Sequence, residues 1–210
     1  MSSFDSERST EYENDLVLDG EVNPIITQSI SQILIDVIRN NKKIKVYANL
    51  LKKQKKLPFN AQYVPSISIA NFLERIVQYT KVEEQTLISS LIFIDRLCNE
   101  GEIMLTELNV HRIMFTAVLL SIKYNEDQIF NMEYYAQICG IKKEELKKLE
   151  FSFCTLVKFN FYIQQTEFER YQNYLYSGAL VIFKKEFYEN EKHPSYLNNN
   201  NNIQLTIKTA

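Results

Sequence analysis

Few side chains in this 210-residue sequence are able to do covalent or acid–base chemistry. There are three cysteines, Cys98, Cys139 and Cys154, and two histidines, His111 and His193. A thiol becomes a nucleophile when a neighbouring base or cation lowers its pKa. Each cysteine here lies in an apolar run, none forms a CxxC pair, and no histidine shares a helix with Cys154. A Cys154–His111 couple across two helices stays open at this level. An odd number of scattered thiols fits a reducing compartment. Two distant histidines leave little for a metal, and no cofactor or metal site is expected. The acid pairs Glu83-Glu84 and Glu144-Glu145 fall at predicted helix starts, where carboxylates complement the helix dipole. They read as charged first turns rather than acid–base dyads. Phosphate-binding GxxxxGK, GxGxxG, HExxH and GxSxG patterns are all missing. No enzyme activity is expected.

The elements that carry these residues read as helices. Only 4 Gly and 4 Pro punctuate the chain, which is sparse for an all-β fold. A hydrophobic fraction of 45% supports a packed globule. Asn23-Pro24 opens an amphipathic helix to about Asn40, with Ile26, Ile30, Leu34 and Ile38 on one face. Pro65-Ser66 opens a second to Thr80. A third runs from Glu83 to Glu100 and closes at Gly101. Asn109 caps a fourth, His111 to Tyr124, which is apolar nearly all round and therefore has to be enclosed by others. Asn131 caps a short fifth that Gly140 stops. A sixth spans Lys142 to Phe159, charged at first and apolar from Phe151 onward. The capping box Thr166-x-x-Glu169 opens a further helix from Glu167 to about Tyr176.

Charge is near balance overall, at a formal net of -2, but it is segregated. Residues 1–36 hold eight acids against Arg8, while residues 37–73 hold eight cations and no acid. The basic stretch reads as a solvated connector, with a nuclear import signal as the alternative. Single-strand nucleic-acid binding needs aromatics interleaved with cations. The basic stretch offers only Tyr47, Phe59 and Tyr63, so nucleic acid is not an expected partner. No apolar run approaches the ~18 residues of a membrane span. The organisation is read as a disordered acidic tail (1–22), an N-terminal helix with a basic connector (23–64), a five-helix box (65–163), C-terminal helices (164–188) and a low-complexity tail (189–210).

Five strings resemble a cyclin box in the family's order: PSISIANFLERIVQYT (65–80), LIFIDRL (91–97), NVHRIMFTAVLLSIKYNED (109–127), NMEYYAQICGI (131–141) and ELKKLEFSFCTLVKFNFYI (145–163). Within cyclins the chain is most similar to the Pho80-like, or P/U-type, group. The resemblance implies an all-α protein: a five-helix cyclin box, one added N-terminal helix and one to three C-terminal helices. It implies a regulatory subunit that binds a cyclin-dependent protein kinase as a heterodimer and activates it, in the nucleus, the cytoplasm or both. By motif position, Lys123 and Glu150 match the Lys and Glu that contact the kinase. Leu120, Tyr124, Phe159 and Phe161 match apolar positions that pack on it.

Two departures bear on the family pattern. Where mitotic-type cyclins carry MRAILVDW and a substrate-docking surface, this chain has PSISIANF, so that groove is not expected. The same change removes the Arg that pairs with the Asp of the IDR string. Asp95 is present, and Arg75 is the expected ion-pair partner, with Arg112 as the other candidate. The competing reading is a cyclin-fold scaffold or transcription-associated adaptor that binds protein or nucleic acid without a kinase.

Overall fold

A computed structural model describes residues 22–43, 51–52, 54 and 57–185 of the chain, with side chains described as far as residue 177. Residues 1–21 and 186–210, and most of the basic connector, lie outside the described residues. The seven helices with defined bounds are α1 (Pro24–Asn41), α2 (Ile69–Thr80), α3 (Glu84–Glu100), α4 (Val110–Asn125), α5 (Met132–Cys139), α6 (Lys143–Leu156) and α7 (Gln165–Lys185). The described residues are all-helical, and α2–α6 form the five-helix box. Val22, assigned from sequence to the acidic tail, is buried in the core.

Helix α4 is the axis. Val110, Ile113 and every residue from Met114 to Ile122 are buried, on all sides of the helix. Its most extensive packing is on α3, and α2, α5 and α6 complete the enclosure. Helix α1 packs on α2 and α7, and α7 in turn packs on α3. No helix among the described residues is long and apolar enough to cross a membrane.

Several helix ends follow their local residues. Asn23 caps α1 by accepting from Ile25 N–H at 2.9 Å, with Pro24 at the first helical position. Asn131 caps α5 through Tyr134 N–H at 2.9 Å. Gly140 ends α5 in the left-handed region at φ 76°, with its N–H on the Gln137 carbonyl and the Ile141 N–H on that of Ala136. This is the Schellman arrangement, and glycine suits it because no Cβ opposes the positive φ.

Other ends differ from the expectation, each for a tertiary reason. Helix α2 starts at Ile69 rather than Pro65, because Ser68 is the cap and accepts from Asn71 N–H at 3.1 Å. The Ile67 carbonyl is held 3.0 Å from His111 Nε2, which keeps 65–67 out of the helix. Asn109 precedes α4 without capping it. Its side chain accepts from Thr106 N–H (2.8 Å) and donates to the Met104 carbonyl (3.0 Å), bracing the α3–α4 connection. The Thr166-x-x-Glu169 box is not formed; Glu169 accepts from Gln165 Nε2 instead, and α7 runs from Gln165 well past Tyr176. Gly101 closes α3 with an ordinary φ of -80°, and what demands glycine there is space, since a Cβ would stand 2.6 Å from the Leu97 carbonyl.

Helix α6 ends at Leu156, short of the expected Phe159. It closes with the same Schellman pair as α5: Lys158 N–H to Thr155 O at 3.1 Å and Phe159 N–H to Cys154 O at 2.8 Å. Here Lys158 occupies the glycine position at φ 54°, and Phe159 follows at φ 56°. Each left-handed non-glycine residue costs about 1–2 kcal/mol.

Denaturant unfolding should show Gly140→Ala losing about 1 kcal/mol, from φ alone. Gly101→Ala should lose about 1–3 kcal/mol, from overlap. Lys158→Gly should gain about 0.5 kcal/mol, because strain relief exceeds the added chain entropy. His111 is held below its ordinary pKa, chiefly by burial and against the opposing Ile67 carbonyl. The unfolded chain therefore takes up the proton first as pH falls below about 6.5. Stability should drop between pH 7 and 5, and His111→Gln, which keeps a donor for Ile67, should flatten that part of the profile. An unchanged pH slope in this variant would exclude His111 as its source.

Candidate functional site

A helix sheathed on all sides can present only its ends. The C-terminal end of α4 carries Lys123 and Tyr124, and α6 runs beside it with Glu150 at the same level. The Lys123 ammonium and the Glu150 carboxylate form a direct ion pair across the two helices, each side chain partly exposed. Ammonium and carboxylate together offer further donors and acceptors outward.

The apolar positions around this pair divide into two kinds. Tyr124 (53% exposed) and Phe159 (64%) face solvent. Leu120, at 6%, belongs to the core, and Phe161 packs inward with its ring edge on Phe93 at 5.1 Å. Tyr124 also meets Phe93 edge-on at 6.4 Å and leans on Phe161 at 6.2 Å. Leu120 and Phe161 thus underlie the surface while Tyr124 and Phe159 form it. The left-handed turn at 158–159 produces this alternation: it sends Phe159 out and brings Phe161 in.

One surface residue was missed by sequence reasoning. Phe151, grouped there with the apolar half of α6, is 69% exposed and follows Glu150 directly. The signal was in the spacing. Leu146, Leu149 and Phe153 share the buried face of α6, and Phe151 lies about two residues, near 200°, away from Leu149 and Phe153. Tyr162, at the other side of the turn, is also exposed. Tyr124 and Phe151 directly follow Lys123 and Glu150 in the chain, and exposed aromatics next to an ion pair fit an interaction surface better than a catalytic one.

The Cys154–His111 couple left open by the sequence is not made. His111 Nε2 is on the Ile67 carbonyl at the start of α4, whereas Cys154 lies on α6 towards the Lys123 end. Burial, and then the Glu150 charge, push the Cys154 thiol up. Burial raises Cys139 to about 12 and Cys98 further still. None of the three thiols is tuned towards thiolate.

The expected Asp95–Arg75 ion pair is also corrected. Arg75 donates to the Gln137 carbonyl at 3.3 Å, at the end of α5. Asp95 faces α7 and accepts from Tyr171 O–H at 2.8 Å and from Asn99 Nδ2 at 3.2 Å. Arg112, the other candidate, pairs with Glu145 at 2.6 Å and donates to the Pro58 and Asn60 carbonyls. Arg96, next to Asp95 in the IDR string, meets Glu167 of α7 at 2.7 Å.

The fold and this surface can be set beside known proteins. A family model described as "Cyclin" matches residues 25–161. Cyclin-U4-3 of Arabidopsis thaliana is 32% identical over 79% of this chain and 73% of its own length. Cyclin-U2-1 of the same plant is 31% identical over 73% of this chain and 68% of its own. PHO85 cyclin-7 of Saccharomyces cerevisiae is 29% identical over 57% of this chain and 46% of its own. All three carry the name cyclin. The enclosed central helix, the five-helix box around it and these likenesses lead to one assignment: the chain belongs to the cyclin family, on its Pho80-like, U/P-type side.

Proposed function

We propose that this cyclin is the regulatory subunit of a cyclin-dependent protein kinase, and that it binds and activates the kinase through the α4–α6 surface. The observation that carries the reading is the Lys123–Glu150 pair set among exposed Tyr124, Phe151 and Phe159. The name of one relative, PHO85 cyclin-7, ties that protein to PHO85, and the likeness supports a kinase partner here. Such a partner places the chain in the nucleus, the cytoplasm or both.

The mechanism is a population shift. The kinase C-helix exchanges between an inward and an outward position, and a cyclin that binds the inward one better moves the equilibrium that way. The kinase's own Lys–Glu ion pair then forms over ATP. This chain supplies no catalytic group. Lys123 and Glu150 offer donors and acceptors to backbone groups of the C-helix region, and Phe151, Phe159 and Tyr124 are the apolar anchors, the class of residue that carries most energy in such contacts.

A charge exchange separates this role from a purely structural one. Between partly exposed groups the ion pair contributes about 0.2–1 kcal/mol to folding. In a partner interface the loss of one such group costs about 2–5 kcal/mol, thirtyfold or more in affinity. Lys123→Glu and Glu150→Lys should each abolish recovery of the kinase in affinity purification with quantitative mass spectrometry. The double exchange rebuilds the pair with reversed polarity, so it should melt like wild type and still fail to recover the kinase. Restored recovery in the double variant, or wild-type recovery in both single variants, overturns the assignment. Recovery of nucleic acid or basal transcription factors in place of a kinase would favour the adaptor reading.

A further inference from the structure

Resting on the kinase-binding reading above, we infer that Arg96 is a positioning residue for that surface: it holds the strained 158–160 turn and thereby presents Phe159 to the partner. Arg96 does not itself form part of the exposed aromatic surface. Its side chain is only 12% exposed, packed between α3, the turn and α7. One terminal nitrogen of its guanidinium donates to the Asn160 carbonyl at 2.9 Å, and the second terminal nitrogen donates to Glu167 of α7 at 2.7 Å. A planar guanidinium holds two acceptors in a fixed relative geometry, which a flexible ammonium does not.

The turn needs such a holder. Lys158 and Phe159 both sit at positive φ without being glycine. Conformations of this kind persist where the surroundings over-determine them. Core packing fixes the two flanks only: Val157 is buried on one side, and Phe161 packs against Phe93 on the other. Between them, Lys158 and Phe159 are exposed, and Asn160 borders a polar cleft of about 410 Å³. Within the turn the Asn160 N–H reaches Val157 O at 3.0 Å, and Arg96 holds the carbonyl of the same residue. Asn160 is thus pinned at both its amide and its carbonyl, and the residue before it is Phe159. Arg96 and Phe93 are three apart on α3, on one helical face, so a single face anchors the turn at Asn160 and at Phe161. Glu167 extends the device to α7: the ion pair ties the start of that helix to the same guanidinium.

The test has a kinase-free arm and a kinase arm, both on the full chain. Arg96→Met keeps the aliphatic stem and removes both hydrogen bonds. Hydrogen exchange should quicken at least tenfold at the Phe159 and Asn160 amides, with α4 amides unchanged. The second variant, Glu167→Gln, leaves Arg96 in place and removes only the charge partner, so it should quicken the same two amides by a smaller factor. Wild-type exchange at those amides in both variants overturns the inference. In the kinase arm, affinity is measured for the kinase retained by the wild-type chain. Phe159→Ala and Arg96→Met should each weaken binding about tenfold. In the Phe159→Ala background Arg96→Met should add less than twofold, because its effect passes through Phe159. Additive losses overturn the inference, since Arg96 would then act by another route. Quickened exchange combined with unweakened binding by Phe159→Ala sinks the kinase-surface reading instead, and leaves Arg96 as the holder of the turn.

Discussion

The enclosure of α4 is the constraint that organises this molecule. Its residues from Ile113 to Ile122, apart from none, lie out of solvent, and they include Ile113, Met114, Phe115, Val118, Leu119 and Leu120. Burial of a large aliphatic or aromatic side chain is worth about 1.5–3 kcal/mol. Removing any neighbouring helix would return part of that surface to water. Thr116 and Ser121 are buried on the same helix, and the Thr116 hydroxyl bonds back to the Arg112 carbonyl at 2.7 Å, so its polarity is absorbed locally. Enclosure also decides where function can reside. At the first end of α4, His111 and Arg112 are tied to the 58–67 segment and to α6. At the last end, Lys123 and Tyr124 stand beside α6 with room for a partner.

The second constraint is the way α6 stops. Helices α5 and α6 close with the same hydrogen-bond pattern, one through Gly140 and the other through Lys158 and Phe159. At α5 the cap only has to reverse the chain. At α6 it has to reverse the chain and also place consecutive aromatics on opposite sides. A glycine at 159 would relieve the strain at that residue, leaving Lys158 at positive φ, and would remove the exposed ring. Strain at a recognition surface is tolerated when neighbouring groups outweigh it. Arg96 and Phe93, on one face of α3, are those groups.

Much of the fold was legible in the sequence because it is encoded locally. Asn23 and Asn131 cap where they stand, Gly140 stops α5, and the all-apolar run of α4 required enclosure. What the sequence concealed depends on partners far along the chain. The start of α2 moved to Ile69 because His111, more than forty residues away, engages the Ile67 carbonyl. Asn109 is drawn into bracing the α3–α4 connection rather than capping. Thr166 lost its box because Gln165 competes for Glu169. Asp95 and Arg75 belong to different neighbourhoods, which only the docking of α7 on α3 and of α5 on α2 reveals. For the proposed site, motif resemblance named Lys123 and Glu150, which the structure pairs, and the wheel of α6 contained the exposed Phe151 for anyone separating its faces.

The pairing of Lys123 with Glu150 in the free chain bears on how the surface would bind. Two long charged side chains left apart would each lose rotamer freedom when a partner arrived, about 0.5–1.5 kcal/mol for each side chain immobilised. Held against each other between α4 and α6, they have lost much of that freedom on folding. Their partial burial also removes part of the hydration that binding would otherwise strip away. The ring cluster of Phe93, Tyr124 and Phe161 limits the neighbouring aromatic in the same way, and Arg96 limits Phe159 from behind the turn. Polar and apolar halves of the surface are therefore preorganised by separate devices, the first between α4 and α6 and the second resting on α3. Helix α3 supplies Phe93 and Arg96 beneath Tyr124 and Phe159, so the shape of the proposed site is determined one layer below its exposed residues.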